Sequence, residues 1–145
     1  MVLKPQPPSD FLNAHHRHWT DAELLYSQDR RANADHLYGL SAECGLKAIL
    51  VQRQWVNVDP QGDPERPFKR HIDELWDSFV SLAQQRLAAR YVSLLPSSNP
   101  FHDWHIGQRY ANEAHFDERM VNAHRQGAEH VRSLVQEARK DGLIP

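Results

Sequence analysis

Glu43 and Lys47 are the most informative charged residues of this chain. They lie four residues apart with leucines on either side, in the acid-before-base order that stabilises an ion pair along one helix face. Because leucines surround them, we expect both to be partly buried in a charged cluster within a cleft. The alternative is an exposed pair that contributes only a few tenths of a kcal/mol.

Histidine is unusually frequent, with ten in the chain. The run His15–His18 is expected on a solvated helix face, since adjacent helical residues point in different directions and cannot all bind one metal. His102 and His105 have no cysteine or carboxylate partner at metal-ligand spacing. We therefore predict no metal site and no cofactor.

Cys44 is the only cysteine, so an internal disulfide is excluded and a reducing cytoplasm is expected. Its place in an apolar stretch predicts a buried, unreactive thiol. The sequence contains no P-loop, GxSxG, HExxH or CxxC motif.

Composition fits one globular domain. The chain has 145 residues, 40% of them hydrophobic, and a net charge of −2 with neutral histidines. This charge argues against a non-specific nucleic-acid coat but allows a local basic cleft. No signal peptide is visible and no apolar run approaches membrane-spanning length.

Four periodic segments must position these residues. Apolar residues recur at spacings of three and four in each, which predicts helices over about 9–28, 33–55, 69–95 and from Asp117 to Lys140. The second is apolar around much of its circumference and should be central. The prediction is an all-α fold: a four-helix up-and-down bundle with an ordered loop before the last helix. Residues 1–8 should form a disordered tail, and 9–145 a single domain.

Three stretches resemble a known family in the order they occur. HLYGLSAECGLKAIL resembles the signature helix of HEPN domains (higher eukaryotes and prokaryotes nucleotide-binding), with Glu43 followed by Leu46-Lys47. KRHIDELW is similar to the opening of the family's third helix, and QRYANEAHF to its Arg-Tyr element, here Arg109-Tyr110. The resemblance covers roughly Trp19 to Ala138 and is to the prokaryotic stand-alone type.

The resemblance implies an all-α homodimer that works beside a minimal nucleotidyltransferase in toxin–antitoxin or defence-type systems. Some family members are metal-independent RNases, in which an arginine precedes a histidine by four to six residues. Six pairs here have that spacing: Arg30–His36, Arg31–His36, Arg66–His71, Arg109–His115, Arg119–His124 and Arg125–His130. Arg109 with His115 is the best candidate, because it falls at the Arg-Tyr element. His124 lies on an apolar face and should be packed in the core.

The functional expectation is a HEPN-like helical binding module, the partner of a minimal nucleotidyltransferase, with Glu43, Lys47, Arg109 and Tyr110 as binding residues and RNA or a nucleotide as a further ligand. Glu43 and Lys47 should lie near Arg109. The alternative is an RNase that uses Arg109 and His115 across a dimer. His115, however, falls before the expected last helix, whereas the family's nuclease motif lies at or within that helix. In a third interpretation Arg109 only ties the fold together through a carboxylate such as Glu43, with Tyr110 in the core.

Overall fold

The computed structural model describes residues 4–145, and that range is all-α, as predicted. Its helices are α1 (Phe11–Ser27), α2 (Arg31–Gln52), α3 (Ile72–Arg86), the short α4 (Ala89–Val92) and α5 (Glu118–Lys140). The described residues contain no β-strand, only an isolated bridge between Val58 and Pro64. The up-and-down order of the bundle stays a prediction. The expected disordered tail lies partly outside the described residues.

A side-chain cap begins α1 close to its predicted start. The Asp10 carboxylate accepts a hydrogen bond from the Asn13 backbone amide at 3.0 Å, which satisfies one of the free amides of the first turn. Thr20 lies inside this continuous helix, where its hydroxyl donates to the His16 carbonyl one turn earlier, at 3.0 Å.

Helix α2 is central, as its wide apolar surface predicts. It contacts α1, α3 and α5, and most of its residues between Ala34 and Leu50 are buried. It begins two residues before the predicted start and ends before Trp55. Gln54 adopts a left-handed conformation with φ of 56°, which a continuing helix cannot accommodate. Cys44 is buried as expected, and burial raises the pKa of its thiol to about 12.

The third predicted helix, 69–95, is too long. Helix α3 ends at Arg86, because Leu87 and Ala88 adopt extended backbone conformations before α4 begins. The redirected chain lets the Tyr91 hydroxyl donate to Asp141 just beyond α5, at 2.6 Å. Apolar periodicity continues through Leu87 and Tyr91, so the sequence pattern does not register this break.

His15 contradicts the prediction of a solvated face for His15–His18. It has no exposed surface, and its Nδ1–H donates to the Ser41 carbonyl at 2.7 Å. Burial lowers the pKa of His15 to about 4, so the ring is neutral at neutral pH. Gly45 makes room for it, since a Cβ there would lie 2.8 Å from His15 Nδ1.

The connection between α4 and α5 is ordered and packed down, as its apolar content predicts. Phe101, Trp104 and Phe116 are almost completely buried. Two 3-10 turns follow, at Ile106–Tyr110 and Glu113–His115. Asp117 then caps α5 by accepting from the Met120 amide at 2.8 Å, again as predicted.

Among residues 4–145, no helix combines the length and the apolarity needed to cross a membrane.

Candidate functional site

A buried ion pair on α2 forms the centre of the candidate site. Glu43 is 7% exposed and Lys47 is 8% exposed. The Lys47 ammonium donates to Glu43 Oε2 at 3.1 Å, as the four-residue spacing predicts. Removal of two charges from water is costly, so each must find partners in the fold. The alternative of an exposed pair is therefore wrong.

The second partner of Glu43 is His71, not the expected Arg109. His71 immediately precedes α3, and its Nδ1 lies 3.0 Å from Glu43 Oε1. Both carboxylate oxygens of Glu43 are therefore in use. Arg109 makes no bond with Glu43 in the described part of the chain, so the interpretation that Arg109 ties the fold to Glu43 is wrong.

Two further histidines surround Glu43. His36 on α2 and His18 on α1 are both half-buried and lie close enough to Glu43 for its charge to act on them. Burial, followed by the positive charge of Arg109, lowers the pKa of His36. The hydrogen bond with Glu43 raises the pKa of His71. The pKa values of these neighbouring histidines are therefore shifted in opposite directions.

Trp104 packs the segment that connects α4 and α5 against α2, beside these histidines. Its ring lies against Gly39, where a Cβ would be only 2.2 Å from the indole. The indole N–H donates to the Asp35 carbonyl at 3.3 Å. The imidazole of His36 stacks on Trp104 with 5.7 Å between ring centroids, and that of His71 lies 6.5 Å away.

Arg109 and Tyr110 lie at the surface beyond Trp104. Tyr110 is 81% exposed, so the interpretation that packs it in the core is wrong. The Arg109 guanidinium lies 4.9 Å from the centre of the Tyr110 ring, and Arg109 forms no ion pair among the described residues. An exposed arginine and aromatic ring side by side are the residue types most enriched where proteins bind partners.

His115 is exposed and lies in the 3-10 turn before α5, where the sequence analysis places it. No hydrogen bond joins it to Arg109 among the described residues. In the pair Arg125–His130, Arg125 is engaged by a carboxylate from α1. Its guanidinium makes two bonds to the Glu23 carboxylate, at 2.8 and 3.1 Å.

A buried network of Asp35, Asp103, Gln108 and His124, here called the Asp35–His124 network, holds the segment 101–110. His124 has no exposed surface, and its predicted burial is confirmed. Its Nδ1 lies 2.6 Å from Asp35 and its Nε2 lies 2.7 Å from Asp103. Gln108 donates to the second oxygen of Asp35 at 2.6 Å.

This network rules out Arg119–His124 as an acid–base pair, because both ring nitrogens of His124 are already bonded and inaccessible. Burial lowers the pKa of His124, but the carboxylates of Asp35 and Asp103 outweigh burial and leave its pKa above the ordinary value. The ring is therefore held in its protonated form.

Several residues of the site are absent from the sequence-based prediction. His36 and His71 appear only as members of Arg–His pairs or of a motif, and Asp35 and Asp103 are not singled out at all. One signal was available for Asp35, which is an acidic residue within the apolar pattern of α2, eight residues before Glu43. The partners of Asp35 come from residues 73 and 89 positions away, which spacing cannot reveal.

No family model, curated protein or solved structure matches this chain. Within residues 4–145, no group of three or more His, Cys, Asp or Glu side chains is arranged to hold a metal ion. The geometry therefore carries the functional argument together with the resemblance noted from sequence.

Proposed function

We propose that the chain is a HEPN-like helical binding module and that Arg109 and Tyr110 form the centre of its docking surface. The observation that carries the proposal is the 81% exposure of Tyr110 beside Arg109, which has no ion-pair partner within residues 4–145. Leaving a large aromatic side chain in water forgoes the stabilisation that its burial would give. A partner that covers Tyr110 recovers that stabilisation.

Rigid presentation of these residues supports the docking role. Arg109 and Tyr110 follow Gln108, which is 7% exposed and bonded to the buried Asp35. A preorganised surface loses less conformational entropy when it binds a partner. The cluster of Glu43, Lys47 and His71 lies close to Trp104, since the ring centroids of His71 and Trp104 are 6.5 Å apart, and it adds charged groups there.

The resemblance to HEPN domains supports a minimal nucleotidyltransferase as the partner, in a two-gene toxin–antitoxin or defence-type system. RNA or a nucleotide is the further ligand that this resemblance suggests. Arg109 supplies an exposed positive charge for a phosphate, and the Glu43 bond favours protonation of His71, whereas Lys47 is buried and paired with Glu43.

The test is co-expression with a minimal nucleotidyltransferase encoded beside the chain, followed by measurement of the dissociation constant. We expect a stable complex with the wild type, and binding weakened by about thirtyfold in Tyr110→Ala, the size of a binding hot spot. Leu24→Ala is the matched control, because Leu24 is also exposed, at 56%, and lies on α1. Equal affinity of all three proteins would refute the docking surface.

A separate assay addresses the RNase alternative. Wild type, Arg109→Ala and His115→Ala are incubated with structured RNA in EDTA. We expect no cleavage by any of them, because His115 lies in the turn before α5 and not in the helix where the family's nuclease motif lies. Cleavage by the wild type that both substitutions abolish would establish the RNase instead.

A further inference from the structure

Segment 101–110 is attached to the helices mainly through the Asp35–His124 network. Asp103 bonds to His124 on α5, Gln108 bonds to the Asp35 carboxylate on α2, and Trp104 bonds to the Asp35 carbonyl. The ring of Phe101 also stacks on His124, with 5.4 Å between centroids. The same histidine therefore contacts the segment by hydrogen bonding and by stacking.

The geometry of this network requires a doubly protonated imidazole. Carboxylates accept hydrogen bonds and cannot donate them, so each ring nitrogen of His124 must carry a hydrogen to bond Asp35 and Asp103 together. A neutral ring has one N–H. Loss of the proton would leave a lone pair facing a carboxylate, which turns one of the two bonds into a repulsion.

We infer that protonation of His124 controls how firmly segment 101–110 is held, and through it the presentation of Arg109 and Tyr110. The outer bond, to Asp103, is the one expected to open. Asp103 is 43% exposed and can turn towards water, whereas Asp35 is fully buried and also bound by Gln108. The consequence for partner binding rests on the proposed function, whereas the holding of the segment does not.

The direction of the pH response follows from the charges around His124. Asp35 faces it from α2 and Asp103 from the segment, and both raise its pKa, while His102 acts on Asp103. The segment is therefore held while His124 is protonated and loosens as pH rises through the raised pKa of His124. The start of the segment stays fixed, because Asn99 donates to the Asp73 carbonyl at 2.8 Å without a titrating group.

Hydrogen exchange tests this inference directly. The amide of Phe101 bonds to Asn99, at the fixed start of the segment. The amides of Trp104, His105 and Gln108 are also hydrogen-bonded and report on the rest of the segment. We expect their protection factors, corrected for intrinsic exchange, to fall by about tenfold or more between neutral and alkaline pH, the effect of losing a charged hydrogen bond. Amides in the middle of α2 should not change.

Asp103→Asn is the decisive variant, since it removes one charge at a half-exposed site and does not depend on tolerance of a change in the core. We expect lower protection of the segment already at neutral pH and a pH response that moves to lower pH. Glu129→Gln, an exposed change on α5, is the control and should behave as the wild type. Protection that responds neither to pH nor to Asp103→Asn would overturn the inference.

Partner affinity measured on the same variants separates the two proposals. A loosened segment with weaker nucleotidyltransferase binding supports both. A loosened segment with unchanged affinity supports the control by His124 and refutes the docking surface. A segment that stays firm in Asp103→Asn, with Tyr110-dependent binding intact, refutes only the control by His124.

Discussion

Two buried histidines of this small protein differ in charge: one is protonated and the other is neutral. His124 is held protonated by two carboxylates, whereas His15 is kept neutral by burial in a core where its Nδ1 bonds to the uncharged Ser41. The residue type is the same, but the surroundings raise the pKa of His124 and lower the pKa of His15. Each arrangement has a measurable consequence for stability.

His15 should make the protein sensitive to mild acid. Its pKa is lowered to about 4 in the folded state, so between about pH 6.5 and pH 4 the unfolded chain binds the proton and the folded chain does not. The free energy of unfolding should therefore decrease as pH falls through this window, by about 1.4 kcal/mol per pH unit from this residue. Urea unfolding at several pH values measures it, with His15→Gln as the comparison. An equal pH slope in both proteins would contradict this assignment.

Glu43→Ala should destabilise the protein by about 2 kcal/mol or more, because Lys47 would remain buried without its carboxylate. The pKa of His71 should also fall towards or below its ordinary value, since the Glu43 bond raises it. Denaturant unfolding and NMR titration of His71 measure the two effects. Glu74→Ala, which removes the exposed Arg70–Glu74 pair, should cost less than about 0.5 kcal/mol and serves as the control. An equal decrease in the free energy of unfolding in both variants would show that the buried ion pair of Glu43 stabilises the protein no more than the exposed pair does.

At the scale of elements, local sequence signals predicted the presence of each helix better than the residue at which it ends. Asp117 and the periodicity after it identify α5 almost to the residue, since a cap and an amphipathic face are both local properties. The end of α3 was missed because Leu87 and Ala88 turn the chain for a contact with Asp141, more than fifty positions away. The partner of Glu43 was missed for a similar reason. The course of the loop between α2 and α3 places His71, and not Arg109, within hydrogen-bond distance of Glu43.

Gly39→Ala should displace segment 101–110 from α2. A Cβ at this position would lie 2.2 Å from the Trp104 indole, so either the ring or the helix must move. We expect a loss of about 2 kcal/mol or more, as in other overpacked cores. Gly107→Ala is the control within the same segment, since the nearest atom there is the movable His105 side chain at 3.0 Å. Thermal unfolding compares the two, and a Gly39→Ala protein as stable as wild type would contradict the close packing.

At the scale of the whole molecule, the large aromatic side chains are mostly covered within one chain. Of the four tryptophans, Trp76 and Trp104 are fully buried, and Trp19 and Trp55 are half-buried. Large exposed apolar side chains among residues 4–145 are Leu24, Val58 and Tyr110. The homodimer is therefore proposed on this smaller exposed set and on the family resemblance.

Light scattering at micromolar concentration tests the dimer. We expect a mass of twice the 16.8 kDa chain, and a lower proportion of dimer for Val58→Ala, because Val58 is one of these exposed apolar side chains. Glu129→Gln, an exposed polar change on α5, is the control. A monomer mass for the wild type would count decisively against the dimer.

The position of Trp104 beside His36 and His71 also gives the protein an intrinsic fluorescence signal that depends on protonation. An imidazolium beside an indole quenches the indole's excited state more strongly than a neutral imidazole does. Because His36 stacks on Trp104 at 5.7 Å and His71 lies 6.5 Å away, the emission of Trp104 should follow protonation of these rings. Replacement of the other three tryptophans by phenylalanine would leave a single fluorophore at the Glu43 cluster, so that events there can be observed by fluorescence without an attached dye.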